Sequence, residues 1–553
     1  MSEPATQTEP QSTRSAEPPR AAGASVASAT VVAVIVTWNR REDVLRVLST
    51  IAVQARSAGD LHVIVVENAS TDGTAEAIRQ IHRPERVLKN TAENGIGLTA
   101  KPEPEGDAPR ANTAGLASLT LIENDTNLGG CGGFNTGFAA VEHLWGKPGT
   151  PEGPDFVWLL DDDIDLPPDA LHRLRAAAAT DPDIALVGSR TVDLTDRQTT
   201  IESTIYFDPG RGMMTPSPPP GHPLEAEHAR WTSDPRTLCD VDVVSACSML
   251  VRWSSIAGVG YWDDRFFIYC DDADWCLRVK RAGGRVVCAP DAVVYHTPWT
   301  HKLTPTRGYY LHRNLLWMIR RHLSGWALRR ATLRWVGRLL RQARSAAQNR
   351  RLTEGRIALR TLNDAIDGRG GKLDHPTDAV GLFDAIAELA LGRPADLVVL
   401  ISDRNAYLAA ETLRARVTNG LIEAGRASRL PRWRYVASTA MPAIDHGGDS
   451  PTRGPGRVEW VRFEPTRIAK LFAQWRFARR RPDAVIVLDG YAEFPLLAGA
   501  TTLHIADADP ALCSREAGGP RALARFAAAW IATAARSVWY GVSVRRSPPS
   551  PER

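Results

Sequence analysis

The sequence predicts an α/β protein built around a mostly parallel central sheet. Three observations carry that prediction. Two compact apolar runs, Val31–Val36 and Leu61–Val66, each stop at polar residues. Unbroken apolar runs of this kind mark strands covered on both faces, as in a parallel sheet. A stretch with Val44, Leu45, Leu48 and Ile51 on one side lies between them and predicts a helix. Strand, polar loop and helix, repeated, is the opening of a doubly wound domain.

The bulk numbers fit that class. The chain has 553 residues, 43% of them apolar and 24% charged, which is ample for a core and long for one domain. A formal charge of +4 over that length gives no reason to expect a nucleic-acid partner. The seven cysteines have neither zinc-knuckle nor CxxC spacing, so reduced thiols in a cytoplasmic setting are expected. No stretch has the length of apolar residues that a membrane span needs. Residues 1–30 are rich in Ser, Thr, Ala, Pro and Glu and read as a disordered tail.

The elements follow in order. Thr37-Trp38-Asn39-Arg40 ends the first strand, and Glu67-Asn68 ends the second. Ala69–Thr74 turns into a helix that Thr71 or Asp72 would cap. Residues 101–112 read as a surface loop. Asn127–Gly137 is a glycine-rich segment, with a helix through Phe138 and Val141 after it. Phe156–Leu160 is a buried strand running directly into Asp161-Asp162-Asp163, and Ile184–Gly188 is another. Residues 208–224 form a long loop, Val241–Val251 a strand, and residues 286–296 a short strand ending at His296. Tyr309 to Arg330 is helical. From Arg320 to Arg360 there are twelve arginines and one acidic residue, Glu354. Leu333, Val336, Leu339 and Leu340 interleave with them, giving a basic amphipathic helix or helix pair. It is expected to lie on an anionic membrane surface; the alternative is a solvated face packed beside the catalytic domain. Residues 368–383 read as a linker. Ala395–Ile401, Ala484–Leu488 and Thr501–Ile505 read as strands of a second α/β-like region. The divisions expected are a tail at 1–30, a catalytic domain at 31–320, a basic helical segment and linker at 321–383, and a further region at 384–553.

The chemistry centres on carboxylates. Asp161 and Asp163 follow a buried strand, and ligands of open α/β sheets sit outside the carboxyl ends of strands. Residues at i and i+2 of an extended segment point the same way, so these two face one divalent cation, Mn²⁺ or Mg²⁺, with Asp162 turned aside or toward a nucleotide. Three adjacent carboxylates need such a cation or strong solvation. Asp271-Asp272-Ala273-Asp274 follows an aromatic run and supplies a general base, helix capping being its other use. His296 at a strand end is expected to complete a metal site with two aspartates, a purely structural histidine being the alternative. The glycines of 127–137 lack a Walker ending and are expected to let the backbone approach a diphosphate or sugar.

Taken together, Val34–Arg40, Val65–Thr74 and the acidic groups resemble the family 2 inverting glycosyltransferases, which have the GT-A fold. The family usually has Asp where Glu67 stands. Asn127–Phe134, Trp158–Ile164, Asp271–Asp274 and His296-Thr297-Pro298-Trp299 are similar to the bacterial galactofuranosyltransferases. The resemblance implies that Asp161, Asp163 and His296 hold the metal and that Asp272 is the base. It implies that Asp271 and Trp299 meet the acceptor. It places Thr37, Asn39, Glu67, Asn68, Asp72, Asn127, Gly129, Gly130 and Asp162 at the nucleotide sugar. The donor implied is UDP-galactofuranose, and the acceptor a polyprenyl-diphosphate-linked cell-wall glycan at the inner face of the cell membrane. dTDP-rhamnose stays open as the donor. So do a metal-dependent nucleotide-sugar hydrolase, a nucleotidyltransferase and a non-catalytic glycan-binding scaffold. About thirty residues precede the first strand, which favours single additions over polymerisation. A homo-oligomer is also within the expectation.

Overall fold

The computed structural model describes residues 29–58, 60–91, 98–100, 115–235, 237–298, 305–348, 352–373, 379–391, 393–401, 404–438, 458–464, 482–488, 501–506, 509–517 and 520–545, with a few single positions between 466 and 472. The first unit alternates strand and helix as expected. It contains β1 (Val31–Thr37), α1 (Arg41–Ala58), β2 (Leu61–Glu67), α2 (Thr74–His82), β3 (Arg86–Asn90), β4 (Leu98–Ala100), β5 (Ser118–Asn124), α3 (Gly129–Trp145), β6 (Phe156–Asp161), α4 (Ala170–Ala179) and β7 (Ile184–Asp193). Short pieces β8 (Thr200–Glu202), β9 (Tyr206–Asp208), β10 (Met213–Thr215), α5 (Glu225–Ser233) and β11 (Cys239–Asp240) precede β12 (Ser248–Arg252), α6 (Asp271–Arg281) and β13 (Arg285–His296).

The sheet order is β11-β13-β7-β12-β6-β1-β2-β5-β3-β4. β1 pairs in parallel with β2 on one side and β6 on the other, with Val36 beside Asp161. Winding thus runs outward through β2 and β5, then returns to start the other half at β6. In sheets of this kind ligands sit where winding reverses, here at the carboxyl ends of β1 and β6. β12 runs antiparallel between β6 and β7, so the residues just before it, Ala246 and Cys247, arrive at that same edge. This is an α/β fold of the GT-A type. Two apolar layers cover the sheet. One includes Val34, Phe138, Leu159 and Trp275, the other Ile35, Leu48, Trp158 and Leu171.

Three details differ from expectation. The glycine-rich segment is the first part of α3, not a loop. A Cβ on Gly133 would lie against Val36 and one on Gly137 against Val34, so these glycines let the helix axis settle onto β1. Val241–Val251 is not one strand. Its first part lies between β11 and β12, outside both, and there Asp242 is drawn into a buried knot, accepting from the Phe207 amide at 2.9 Å and pairing with His222 at 2.8 Å and Lys280 at 2.5 Å. The helix expected over Tyr309–Arg330 is two helices, α7 (Pro305–His322) and α8 (Gly325–Gln348), with Gly325 at φ +55° between them.

α8 and α9 (Leu352–Asp367) form an antiparallel pair, joined by a last helix, Pro520–Ser543. The apolar stripe of α8, including Leu328, Trp335, Val336 and Leu339, is buried within the protein. The apolar stripe expected to face lipid is thus covered by the protein itself. The later region holds β14 (Ala379–Gly381), α10 (Leu382–Leu389), β15 (Asp396–Ile401), α11 (Arg404–Glu423), β16 (Arg432–Ser438), β17 (Val458–Phe463), β18 (Ala484–Val487), β19 (Thr501–Ala506) and β20 (Asp509–Ala517). They form a second sheet in the order β14-β20-β19-β18-β15-β16-β17, with its own core around Leu397, Val399, Trp433 and Ile486. Among the described residues no helix is long and apolar enough to cross a membrane.

Candidate active site

The loops after β1 and β2 fix each other. Asn39 takes a left-handed conformation, φ +51°. Its side-chain oxygen accepts from the Thr71 amide at 2.7 Å, and its own amide donates to Ser70 Oγ at 2.9 Å. Asp72 accepts from the amides of Arg41 at 3.2 Å and Thr74 at 3.1 Å. Glu67, 4% exposed, accepts from the Ser70 amide at 2.5 Å. Asn68 reaches the other way. It donates to Gly129 O at 2.9 Å and accepts from the Leu128 amide at 3.0 Å, while Asn127 accepts from the Gly129 amide at 2.8 Å. The polar residues expected at a nucleotide therefore tie these loops together. Gly129, at φ +74°, leaves no room for a Cβ beside the Phe267 carbonyl, whereas a Cβ on Gly130 would meet open space.

At the carboxyl end of β6 the three aspartates diverge. Asp162 is buried, and burial pushes its carboxyl up to about 7 against the pull of Arg40. Arg40 Nε lies 3.8 Å from it, and the same guanidinium pairs directly with Asp163. Burial works against the Arg40 charge, yet Asp163 and Asp162 more than offset that and hold it protonated. Asp161 and Asp163 turn instead toward His296. Its Nε2 is 3.0 Å from Asp163 Oδ1 and 3.7 Å from Asp161 Oδ2. The pairing arises because Asp165 and Tyr295 exchange backbone hydrogen bonds at 2.9 and 3.0 Å, which zips the end of β13 to the chain beyond β6.

One ligand atom from each of Asp161, Asp163 and His296 lies within 4.8 Å of the others. Two carboxylates and one imidazole suit Mn²⁺, and with a mostly oxygen shell also Mg²⁺. That a guanidinium already leans on Asp163 marks the site as one that attracts positive charge. These residues fit a divalent cation.

The second acidic group sits across Ala246 and Cys247. Cys247 O accepts from the Asp161 amide at 3.2 Å, and the neighbouring Ala246 amide donates to Asp272 Oδ2 at 3.3 Å. Asp271 and Asp272 start α6, where the helix N-terminus favours negative charge. Burial nevertheless raises both carboxyls, Asp271 further through its neighbour Asp272, and Asp272 further through Asp161, against the Ala246 and Ala273 amides that stabilise its anion. Asp274 does not join them. It pairs with Arg278 at 3.1 Å, with Arg321, and with His322 at 2.9 Å. Burial disfavours its charge, but His322 and the two arginines hold it well below the usual carboxylate range. Trp299 lies outside the described residues.

The turn before α6 carries residues that sequence reasoning missed. Phe267, Tyr269 and Cys270 all have positive φ, at 67°, 70° and 60°. Non-glycine residues hold such conformations only where their surroundings impose them. Asn314 of α7 donates to the carbonyls of Phe266, Ile268 and Tyr269 at 2.8, 2.8 and 2.9 Å. Arg313, fully buried, donates to Arg265 O at 3.0 Å and Phe266 O at 2.9 Å. The available signal was a polar pair inside the aromatic face of a helix, between Tyr310 and Leu315. Arg40 was also missed, although it stands in the loop that faces the aspartates.

The description "Glycosyl transferase family 2" matches residues 32–99 and "Glycosyltransferase like family 2" matches residues 112–336. The chain belongs to the family 2 glycosyltransferases, and residues 32–336 carry the family's domain. It is 26% identical over 236 residues to the N-acetylglucosaminyl-diphospho-decaprenol L-rhamnosyltransferase of Mycobacterium tuberculosis, covering 41% of this chain and 75% of that protein. It is 26% identical over 236 residues to galactofuranosyltransferase GlfT2 of the same organism, covering 40% of this chain but only 34% of that protein. Among solved structures, S. aureus TarS superposes with a TM-score of 0.36 at 15% identity over 61% of this chain and 49% of that one. A mannosyltransferase from Pyrobaculum calidifontis in complex with GDP-Man and Mn²⁺ gives 0.31 at 15% identity over 73% and 84%.

Proposed function

We propose that this glycosyltransferase is an inverting enzyme that moves galactofuranose from UDP-galactofuranose to a hydroxyl of a polyprenyl-diphosphate-linked cell-wall glycan, working at the inner face of the cell membrane. The observation that carries the reading is the placing of the half-buried Asp272, beside the buried Asp271, opposite the Asp161–Asp163–His296 cluster across Ala246 and Cys247. Asp272 is the base that takes the acceptor proton, and inversion by a single displacement needs only that one base. Asp271, together with Trp299, orients the acceptor. Thr37, Asp162 and Gly130 border the donor, among loops held by Asn39, Glu67, Asn68, Asp72, Asn127 and Gly129. A cation held by Asp161, Asp163 and His296 would offset charge gathering on the departing diphosphate. Residues 31–320 are the catalytic unit, 321–383 its helical support and linker, and 384–553 a further region without an assigned role.

A second donor has its own support. The rhamnosyltransferase relative is matched over 75% of its length, which favours dTDP-rhamnose. The test is a donor screen with a polyprenyl-diphosphate-linked acceptor, with and without chelator. Transfer from UDP-galactofuranose that stops on chelation supports the first reading. Transfer from dTDP-rhamnose alone replaces it with the second. Nucleotide release with no glycan product, or transfer indifferent to chelation, contradicts both.

A further inference from the structure

We infer that the outward face of the last helix, together with the first turn of α8, is a docking surface for an anionic lipid bilayer. The inference takes its purpose from the proposed lipid-linked acceptor but stands on separate residues.

One side of the last helix is fully used inside the protein. Trp530 Nε1 donates to Leu340 O at 3.0 Å, Phe526 packs where a Cβ on Gly355 would lie, and Gly541 sits against Leu333. The other side is apolar and uncovered. Ile531, Val538, Trp539 and Val542 are 63, 47, 74 and 50% exposed. Their spacing places them on one stripe, at i, i+7, i+8 and i+11. Trp326, 75% exposed, stands in the first turn of α8. The two meet at one corner of the helical unit, because Arg320, six residues before Trp326, donates to the Arg545 carbonyl at 3.4 Å just beyond the last helix.

Charge identifies the occupant. α8 carries Arg329, Arg330, Arg334, Arg338, Arg341 and Arg344, the last helix carries Arg521, Arg525 and Arg536, and neither contains an acidic residue. Among the described side chains of these two helices, Arg536 pairs with Asp367. A second copy of this face would bring arginines against arginines with nothing to offset them. A surface of acidic headgroups over an apolar interior satisfies both features: tryptophans settle at the interfacial level and arginines reach the headgroups. This is a different surface from the apolar stripe of α8, which the protein itself covers. The corner is also tied to the catalytic side, since Arg321 and His322 at the end of α7 bind Asp274 in the helix that Asp271 and Asp272 begin. Docking there would hold that helix end in a fixed attitude to the bilayer.

Flotation of the full chain with vesicles tests the inference. Vesicles of phosphatidylcholine alone are compared with vesicles that also contain phosphatidylglycerol. The wild type is expected to float with the mixed vesicles only, and to be released by salt. The pair Trp326→Ala and Trp539→Ala is expected to lower partitioning about tenfold or more, and each of Arg330→Gln, Arg334→Gln and Arg341→Gln about fivefold. All variants should keep the wild-type far-UV spectrum and donor-dependent nucleotide release. Equal flotation of wild type and variants overturns the inference, as does failure of the wild type to bind mixed vesicles. A dimer in light scattering that Trp539→Ala dissolves would also overturn it in favour of a second copy. A chain that floats but releases no nucleotide defeats the transferase proposal alone, and one that turns over donor but never floats defeats the docking surface alone.

Discussion

Replacing Asn314 with alanine removes the side chain that ties three carbonyls of the turn before α6. Phe266 O keeps a bond from Arg313, so the loss falls mainly on Ile268 O and Tyr269 O. Leaving a fully buried acceptor unsatisfied costs about 1–3 kcal/mol, so these two part-buried carbonyls cost at most about 2–6 kcal/mol. The turn also stores strain at Phe267, Tyr269 and Cys270, about 1–3 kcal/mol each, and relaxation returns part of it. The expected net loss is about 2–4 kcal/mol, read as a lower denaturant midpoint at unchanged slope. Relaxation would draw Asp271 and Asp272 out of register with the Asp161 edge. A displacement of about 1 Å at a reacting group costs roughly a hundredfold in rate. Because the Phe267 carbonyl accepts from the Cys131 amide at 3.1 Å and packs on Gly129, kcat should fall about that much and donor affinity by a smaller factor. Asn314→Asp, equal in size, should be worse, because a carboxylate would face three carbonyls. If Asn314→Ala turned over at the wild-type rate and lost less than about 1 kcal/mol, the turn would hold itself and the clamp would be incidental.

Three further outcomes follow from the same geometry. Gly137→Val should destabilise the protein by about 1–3 kcal/mol, since even a Cβ there overlaps Val34; thermal unfolding measures it, and a neutral result would mean α3 can shift from β1. Asp274→Asn should cost about 3 kcal/mol by taking a buried carboxylate away from Arg278, His322 and Arg321, the last of which keeps Asp263, whereas a rate loss at full stability would instead put Asp274 in the chemistry. Because burial raises the carboxyls of Asp271 and Asp272, the folded protein binds protons that the unfolded chain releases. Their contribution to stability therefore falls as pH rises from the ordinary carboxylate range through the raised values, while the transfer rate climbs over that window as the base ionises; a flat pH–rate profile there would contradict the assignment of the base.

Much of the site was legible because its parts are written locally. An apolar run that stops at aspartates gives both a strand and the edge it reaches, and this located Asp161 and Asp163 together. His296 was legible as a strand end, but its approach to Asp163 depends on the Asp165–Tyr295 bridge, which no local pattern encodes. The packing role of Gly133 and Gly137 was not legible, because a close helix–strand contact and a ligand-cradling loop ask for the same residue. The knot around Asp242 was not legible among valines that favour a strand, because its partners His222 and Lys280 lie far away in the chain. The arginine-rich stretch was correctly amphipathic, but periodicity does not say what covers an apolar stripe. Here the protein covers that of α8 and leaves the last helix bare. Arg313 and Asn314 act only on a turn forty residues earlier, so their role appears only once α7 is packed.

The central claim is that Asp272 takes the acceptor's proton at a site separate from the one that holds the donor. Asp272→Asn keeps the side chain's shape and removes its basicity. The measurement is transfer of the donor sugar to a lipid-linked acceptor, alongside calorimetric binding of UDP with Mn²⁺. Transfer should fall by a factor of about 10²–10⁴ with nucleotide and metal binding intact. Transfer at the wild-type rate, or loss of nucleotide binding in step with activity, would contradict it.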